Sequence, residues 1–320
     1  MLSESLQTAT LGPTHITVPA LGIGTWQWGD KLFWSYGKDY GSEQVREAFH
    51  AAVQAGITFF DTAEIYGFGE SERLIGQFIK ESDRPIQVAT KYFPMPWRFS
   101  AQAVEEALTA SLKRLQLDSI PLYQVHMPFD FLMGQRTLMN ALADEVEKGR
   151  IGAIGISNYS AEQMRKAHKY LTARGIPLAV NQVRYSLLTR QIESNGILET
   201  ARELGITILA YSPLAQGLLT GKYTPESAPT PEGARRLDTR FSQKGLEQIA
   251  PLINALKQIG ETHQRTPAQV ALNWLIAQGN VVPIPGAKNA SQAQQNAGAL
   301  GWNLTSDEVA QLDALSRDRR

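Results

Sequence analysis

The chain has 320 residues, and its 31 lysines and arginines balance 31 aspartates and glutamates, so no net field favours nucleic acid or an anionic membrane surface. With no cysteine it can form neither a disulfide nor a thiolate nucleophile, and the usual zinc thiolates are excluded. No apolar run approaches the roughly 18 residues of a membrane span, and residues 1–5 lack the basic and apolar regions of a leader. These features predict a cytoplasmic, monomeric protein with a small-molecule partner and no nucleic-acid, membrane or metal partner. The length suits one α/β barrel of roughly 250 residues plus insertions, taken as a single domain over residues 1–320.

In chain order, residues 11–21 read as a short hairpin interrupted by Gly12-Pro13 and Pro19, and residues 21–26 as a first barrel strand. Ser42 is the expected N-cap of a helix whose Val45, Phe49, Ala52 and Val53 share one face, closed by Gly56. The run Gly56-Ile57-Thr58-Phe59-Phe60-Asp61 is a buried strand, and it leads into a loop holding Tyr66. A helix over 71–80 precedes a strand ending in Lys91. Ser100 opens a helix carrying Val104, Leu108, Leu112 and Leu115, before a strand ending in His126. A helix over 135–148 leads to a strand over 151–158. Ser160 to Gln163 has capping-box spacing, and strands follow at 178–182 and 206–210 around a helix at 197–204. Thr266-Pro267-Ala268-Gln269 is a second capping box, opening a helix to Gln278 before an eighth strand at 281–284. The long interval before that strand holds an insertion, residues 222–242, and an extra helix ending near Gly260. A third capping box, Thr305 to Glu308, starts a terminal helix.

Strand starts recur about every 30 residues, the βα period of a parallel barrel. An open doubly wound sheet would also alternate. However, Gly22-Ile23-Gly24 lacks the third glycine of a dinucleotide fingerprint, and Gly67-Phe68-Gly69 follows a loop tyrosine instead of opening from a strand. The predicted fold is therefore a (β/α)8 barrel with an N-terminal hairpin, a long insertion before the eighth strand and an extra C-terminal helix.

Side chains alternate along a strand, so Asp61 shares a face with Phe59, Lys91 with Ala89 and His126 with Gln124. Three consecutive strands thus end in an acid, a cation and an imidazole, with a phenol just beyond the first. Barrel closure would gather them on one face. An ammonium about 4 Å from a phenol supplies on the order of 4 kcal/mol toward phenolate, so Lys91 is expected to lower the Tyr66 pKa. Asp61 would keep the lysine charged, and His126 would hydrogen-bond a carbonyl oxygen. Such a set protonates a carbonyl oxygen, while hydride must come from a bound cofactor.

The chain resembles the aldo-keto reductases over nearly its whole length. The matching segments are residues 22–26, Phe60-Asp61-Thr62-Ala63-Glu64-Ile65-Tyr66-Gly67, Thr90-Lys91, Val125-His126, Gly155-Ile156-Ser157-Asn158, Asn181-Gln182, Tyr211-Ser212-Pro213-Leu214 and Ile284-Pro285-Gly286-Ala287-Lys288. The resemblance implies a barrel that binds NADP(H) across its mouth and reduces aldehydes or activated ketones reversibly. It makes Asp61, Tyr66, Lys91 and His126 the catalytic tetrad, with Tyr66 the proton donor. It puts Thr25, Trp26, Asp61, Ser157, Asn158, Gln182 and Tyr211 at the nicotinamide. Ser212, Pro213, Leu214, Gln216, Gly217 and Lys222 fall at the pyrophosphate; Pro285, Gly286, Lys288, Gln292, Gln295 and Asn296 fall at the adenosine. Gln292 stands where many members carry arginine, leaving Lys288 as the nearby positive charge. Arg235 or Arg236, in preference to Arg240, is expected to close over the pyrophosphate. Trp26, Tyr66, Trp97 and His126 would line the substrate pocket, while Trp28, Phe93 and Phe129 are open to ordinary packing. Residues 286–290 resemble the plant-type branch that includes pyridoxal reductases, so pyridoxal or another small aldehyde is the expected substrate. Two other readings stay open: a slow-turnover nicotinamide sensor resembling the potassium-channel β subunits, and a barrel hydrolase or isomerase.

Overall fold

The computed structural model describes residues 7–129, 133–227, 235 and 238–317. Eight parallel strands run in the order of the chain: β3 (Ile23–Gly24), β4 (Phe59–Asp61), β5 (Gln87–Tyr92), β6 (Ile120–Val125), β7 (Ile151–Ser157), β8 (Leu178–Arg184), β9 (Thr207–Tyr211) and β10 (Val281–Pro283). The ring closes where Gly22 N–H donates to the Pro283 carbonyl and Gly24 N–H to the Pro285 carbonyl, each at 3.0 Å. The result is a closed (β/α)8 barrel. Its interior is apolar, packed by Phe59, Ala89, Leu122, Ala153, Val180, Leu209 and Val282, the alternate residues of successive strands.

A hairpin of β1 (Thr8–Thr10) and β2 (Thr17–Pro19) seals the barrel at the end where the strands begin. It starts at Thr8, three residues before the predicted Leu11, because Thr8 pairs with Pro19 across the ladder. Buried Leu11 and Val18 join the interior cluster. Gly12 N–H donates to Thr207 Oγ1 at 2.8 Å. Gly12 has φ +57°, and a Cβ there would lie 2.4 Å from the Ala179 carbonyl oxygen, so glycine lets the plug seat against β8.

Helices α1 (Ser42–Gln54), α2 (Glu70–Ile79), α3 (Ala101–Leu115), α4 (Gln135–Glu147), α5 (Ala161–Thr172), α6 (Ile197–Glu203) and α8 (Pro267–Ile276) follow strands around the outside. Ser42 is not the N-cap of α1. It is the first helical residue, and Gly41 takes the cap, its N–H held by Gln44 Oε1 at 2.8 Å. The other boxes form as the spacing predicts: Ser160 Oγ accepts from Gln163 N, Thr266 Oγ1 from Gln269 N and Thr305 Oγ1 from Glu308 N. The extra helix α7 (Gln243–His263) runs three residues past the predicted Gly260, to an end capped by left-handed Gln264. Helices α9 (Ala290–Ala297) and α10 (Ser306–Arg317) complete the chain. Among the described residues no helix is long and apolar enough to cross a membrane.

Substituting Gly12→Ala should destabilise the protein by about 2–4 kcal/mol in urea unfolding, from the left-handed backbone and the clash with β8. Unchanged stability would mean that the hairpin does not plug the barrel as described.

Candidate active site

All eight strands end on the face opposite the hairpin, and there β4, β5 and β6 bring Asp61, Lys91 and His126 together beside Tyr66. Asp61 and Lys91 are buried, and Lys91 Nζ donates to Asp61 Oδ2 at 2.5 Å and to the Thr62 carbonyl at 2.8 Å. The second carboxylate oxygen accepts from Gln124 Nε2 at 3.0 Å and Gln182 Nε2 at 2.8 Å. Gln182 Nε2 also reaches Gln124 Oε1 at 3.2 Å. Gln124 can cross the interior because Gly155 beside it has no side chain; a Cβ there would lie 2.8 Å from Gln124 Cγ and 2.5 Å from Val180 Cγ2. Thr25, Thr62 and Ser71, all buried, brace the pair from behind: Thr25 Oγ1 donates to the Asp61 carbonyl at 2.9 Å and Thr62 Oγ1 to Ser71 Oγ at 2.9 Å.

Lys91 Nζ lies 5.1 Å from the Tyr66 ring centroid, and the Tyr66 ring meets the His126 ring edge-on at 5.6 Å. Phe93 packs against the other side of His126 at 5.5 Å. Glu64, on the loop before Tyr66, holds Phe93 N–H at 2.6 Å and Arg98 at 2.5 and 3.0 Å, which ties this loop to the one after β5.

The electrostatics differ from expectation at the phenol. Although part of its surface meets the cleft, Tyr66 is closely surrounded by protein. Loss of hydration is the largest cause raising its pKa well above the usual value, followed by the charge of Asp61 and then Tyr211. The expected lowering by Lys91 is outweighed by loss of hydration and by the carboxylate of Asp61, to which the ammonium is bonded. Burial, opposed by Asp61, lowers the Lys91 pKa. His126 is pushed down to about 3 by burial and by the Lys91 charge, so at neutral pH it is an uncharged imidazole with one N–H to donate.

These groups form the base of a cleft of about 1670 Å³, beyond the roughly 300–1,000 Å³ of most small-molecule sites. Thr25, Trp26, Ser157, Asn158, Gln182 and Tyr211 line it beside the tetrad; Ser212, Pro213, Leu214, Gln216, Gly217 and Lys222 continue it past β9. Pro285, Gly286, Lys288, Gln292, Gln295 and Asn296 form the far wall, and Arg235 joins them from the insertion. Asn158 is fixed by donating to the His126 carbonyl at 3.2 Å and accepting from Tyr211 OH at 3.0 Å. Of the eight described non-glycine residues with left-handed backbone, four, Phe68, Asn158, Ser212 and Gln216, line this cleft.

Two expected residues, Trp97 and Arg236, are not placed on the cleft, and Arg240, the less favoured arginine, lies elsewhere. Trp97 is 67% exposed and does not line the cleft; its loop turns outward, with Arg98 N–H bonded to the Met95 carbonyl. Arg240 is tied to Asp238 and the Leu188 carbonyl, away from the main cleft. Arg236 lies outside the described residues. Trp28 is core, buried against Phe60 and Phe78. Conversely, the loop after β3 contributes Gln27, Lys31, Leu32, Phe33 and Trp34 to the cleft, none of which the sequence pattern flagged. The concentration of aromatic residues between Trp26 and Tyr40 was the available signal. Gln124 was also missed as the partner of Asp61, although it stands two positions before His126 on the same face.

The polar character of the cleft fits a dinucleotide phosphate. Lys222, Arg235 and Lys288 line it, and buried Gln27 Oε1, Trp34 Nε1, Gln216 Oε1 and Arg235 Nε have no hydrogen-bond partner among the described residues. Among the described residues no group of three or more histidine, aspartate or glutamate side chains could hold a metal ion.

Comparison with known proteins agrees with this chemistry. Residues 20–317 match the model of the aldo/keto reductase family. A chloroplastic pyridoxal reductase of Arabidopsis thaliana is 41% identical over 98% of this chain and 86% of its own length. An uncharacterized oxidoreductase of Mycobacterium tuberculosis is 40% identical over 94% of this chain and 88% of its own. Among solved structures, a glycerol dehydrogenase from Gluconobacter oxydans superimposes with a TM-score of 0.84 at 27% identity, covering 98% of this chain and 95% of that one. An aldo-keto reductase from Klebsiella pneumoniae in complex with NADPH gives 0.75 at 28% identity, with 97% and 96% covered. The chain belongs to the aldo/keto reductase family.

Proposed function

We propose that this NADPH-dependent carbonyl reductase acts on small aromatic aldehydes, pyridoxal among them, with Tyr66 as the proton donor. The observation that carries the reading is the position of the Tyr66 ring, edge-on to His126 at 5.6 Å and 5.1 Å from the Lys91 ammonium. The substrate class is supported by the aromatic walls at this end of the cleft, Trp26, Phe33 and Phe68, and by the likeness to a pyridoxal reductase.

The bound cofactor supplies the hydride that reduces the carbonyl carbon. Tyr211, Asn158, Ser157 and Gln182 would hold its nicotinamide end, and Lys222, Arg235 and Lys288 its phosphates. The carbonyl oxygen must then be protonated, and two groups face it. His126, with a pKa near 3, carries no proton to give at neutrality and acts as a hydrogen-bond donor that orients the oxygen. Tyr66 keeps its proton in the resting site because its pKa is raised, and it releases that proton as negative charge develops on the oxygen. Lys91, 5.1 Å from the ring centroid, attracts the resulting phenolate, while loss of hydration and Asp61 oppose it. Asp61 holds Lys91 in place through the exchange. Running in reverse, the same groups take a proton from an alcohol.

Pyridoxal and 4-nitrobenzaldehyde, each with NADPH, are the direct test. Tyr66→Phe should lower kcat by about 10² to 10⁴-fold while leaving NADPH affinity within about threefold. Near-normal turnover in that variant would reject Tyr66 as the donor. A parent protein that binds NADPH but turns over neither aldehyde would instead favour the slow sensor.

The His126 pKa also makes a stability prediction. The unfolded imidazole titrates near 6.5 and the folded one near 3, so the unfolded state gains a proton first as pH falls. The stability from the neutral imidazole is complete above pH 6.5 and declines below it, by about 2 kcal/mol at pH 5. His126→Asn should lose about that much less stability than the parent between pH 7.5 and pH 5 in urea unfolding. Equal losses would mean that His126 is not held neutral.

A further inference from the structure

At the far end of the cleft a lysine is held by aromatic rings instead of a carboxylate. Lys288 Nζ sits 4.5 Å from the Tyr40 ring centroid and 5.1 Å from that of Trp34, and among the described residues its one polar contact is the Trp34 carbonyl at 3.4 Å. Gln292 cannot replace a cation here, since its side-chain oxygen accepts from Lys288 N–H at 2.9 Å. Both rings come from the loop between β3 and α1, the segment that the sequence pattern left unassigned. Tyr40 is 8% exposed and anchored by its hydroxyl, which donates to the Gln27 carbonyl at 2.6 Å. Trp34 packs edge-on to Trp26 at 5.5 Å. Its indole N–H is buried and has no acceptor.

The manner of holding matters for charge. A carboxylate partner would fix the ammonium but cancel its field. An aromatic face fixes it through the ring quadrupole and leaves the positive charge whole. Burial and the nearby Arg235 and Lys222 charges disfavour the protonated lysine; the Asp39 carboxylate, which forms no ion pair with it among the described residues, favours it, and the two electron-rich faces act in the same direction.

We infer that Trp34 and Tyr40 are positioning residues for recognition of the cofactor's 2′-phosphate: they hold Lys288 as a cation without a salt-bridge partner among the described residues. The inference rests on the NADP(H) site described above and adds to it two residues from a different loop. It predicts that the box contributes to binding of a 2′-phosphorylated adenosine and little to binding of its unphosphorylated counterpart. A merely structural role would weaken both alike.

Calorimetric titration of the full-length protein with 2′,5′-ADP and with 5′-ADP tests this without turnover. Trp34→Leu and Tyr40→Leu should each weaken 2′,5′-ADP by about tenfold and 5′-ADP by less than about twofold. Tyr40→Phe, which keeps the ring and loses the hydroxyl, should restore the affinity that Tyr40→Leu loses. In a Lys288→Met background the leucine substitutions should cost nothing further for 2′,5′-ADP. Equal weakening of the two nucleotides, no weakening of either, or a full effect persisting without Lys288 would each overturn the inference. If Trp34→Leu folds poorly by thermal melting, the comparison of Tyr40→Leu with Tyr40→Phe decides the question at a single position. Failure of the parent protein to bind 2′,5′-ADP would overturn both this inference and the cofactor site beneath it.

Discussion

The buried pair of Lys91 and Asp61 is the interaction on which the site depends. Two charges taken out of water lose hydration worth several kcal/mol each, and their attraction offsets this only when every remaining donor and acceptor is matched. Here the matching is nearly complete: both carboxylate oxygens accept, one from lysine and one from two glutamine amides, and the ammonium also donates to the Thr62 carbonyl. Removing any member would leave an uncompensated polar group in a packed barrel. The pair is therefore a rigid fixture, and the less buried Tyr66 and His126 take their positions from it.

The same pair shapes the chemistry by what it withholds. A lone lysine beside Tyr66 would acidify the phenol at rest. A lysine already matched to a carboxylate, beside a phenol stripped of its hydration, leaves the phenol protonated. His126 is kept neutral by burial and by that lysine, which in the proposed mechanism separates the orienting group from the acid. Two neighbouring groups able to donate hydrogen bonds thus acquire different duties from their surroundings, as is common where environments push pKa values apart. At the other end of the cleft Lys288 is held by rings instead of a carboxylate, and there the charge stays available to a ligand.

Much of the architecture was legible because it follows from local rules. The βα period, the three capping boxes and the strand-end parity of Asp61, Lys91 and His126 depend on spacing and side-chain alternation, which a sequence displays directly. The misses have physical causes. Ser42 is a good capping residue, but Gly41 stands one place earlier with the extended backbone a cap requires, and Gln44 reaches it. Trp97 follows a strand end, yet the turn around Met95 and Arg98 carries it outward. Neither outcome is decided by residue type.

What the sequence determined by itself was the ring of strands and the set of groups at its mouth, since strand order and side-chain parity leave few other arrangements. What only the tertiary structure decided was how those groups affect one another: that Gln124 and Gln182 complete Asp61, that the Tyr66 pKa rises instead of falling, and that Trp34 and Tyr40 meet Lys288 across about 250 residues of chain. Charge and hydration depend on distances of a few ångströms between segments remote in sequence. Those distances exist only once the barrel has closed.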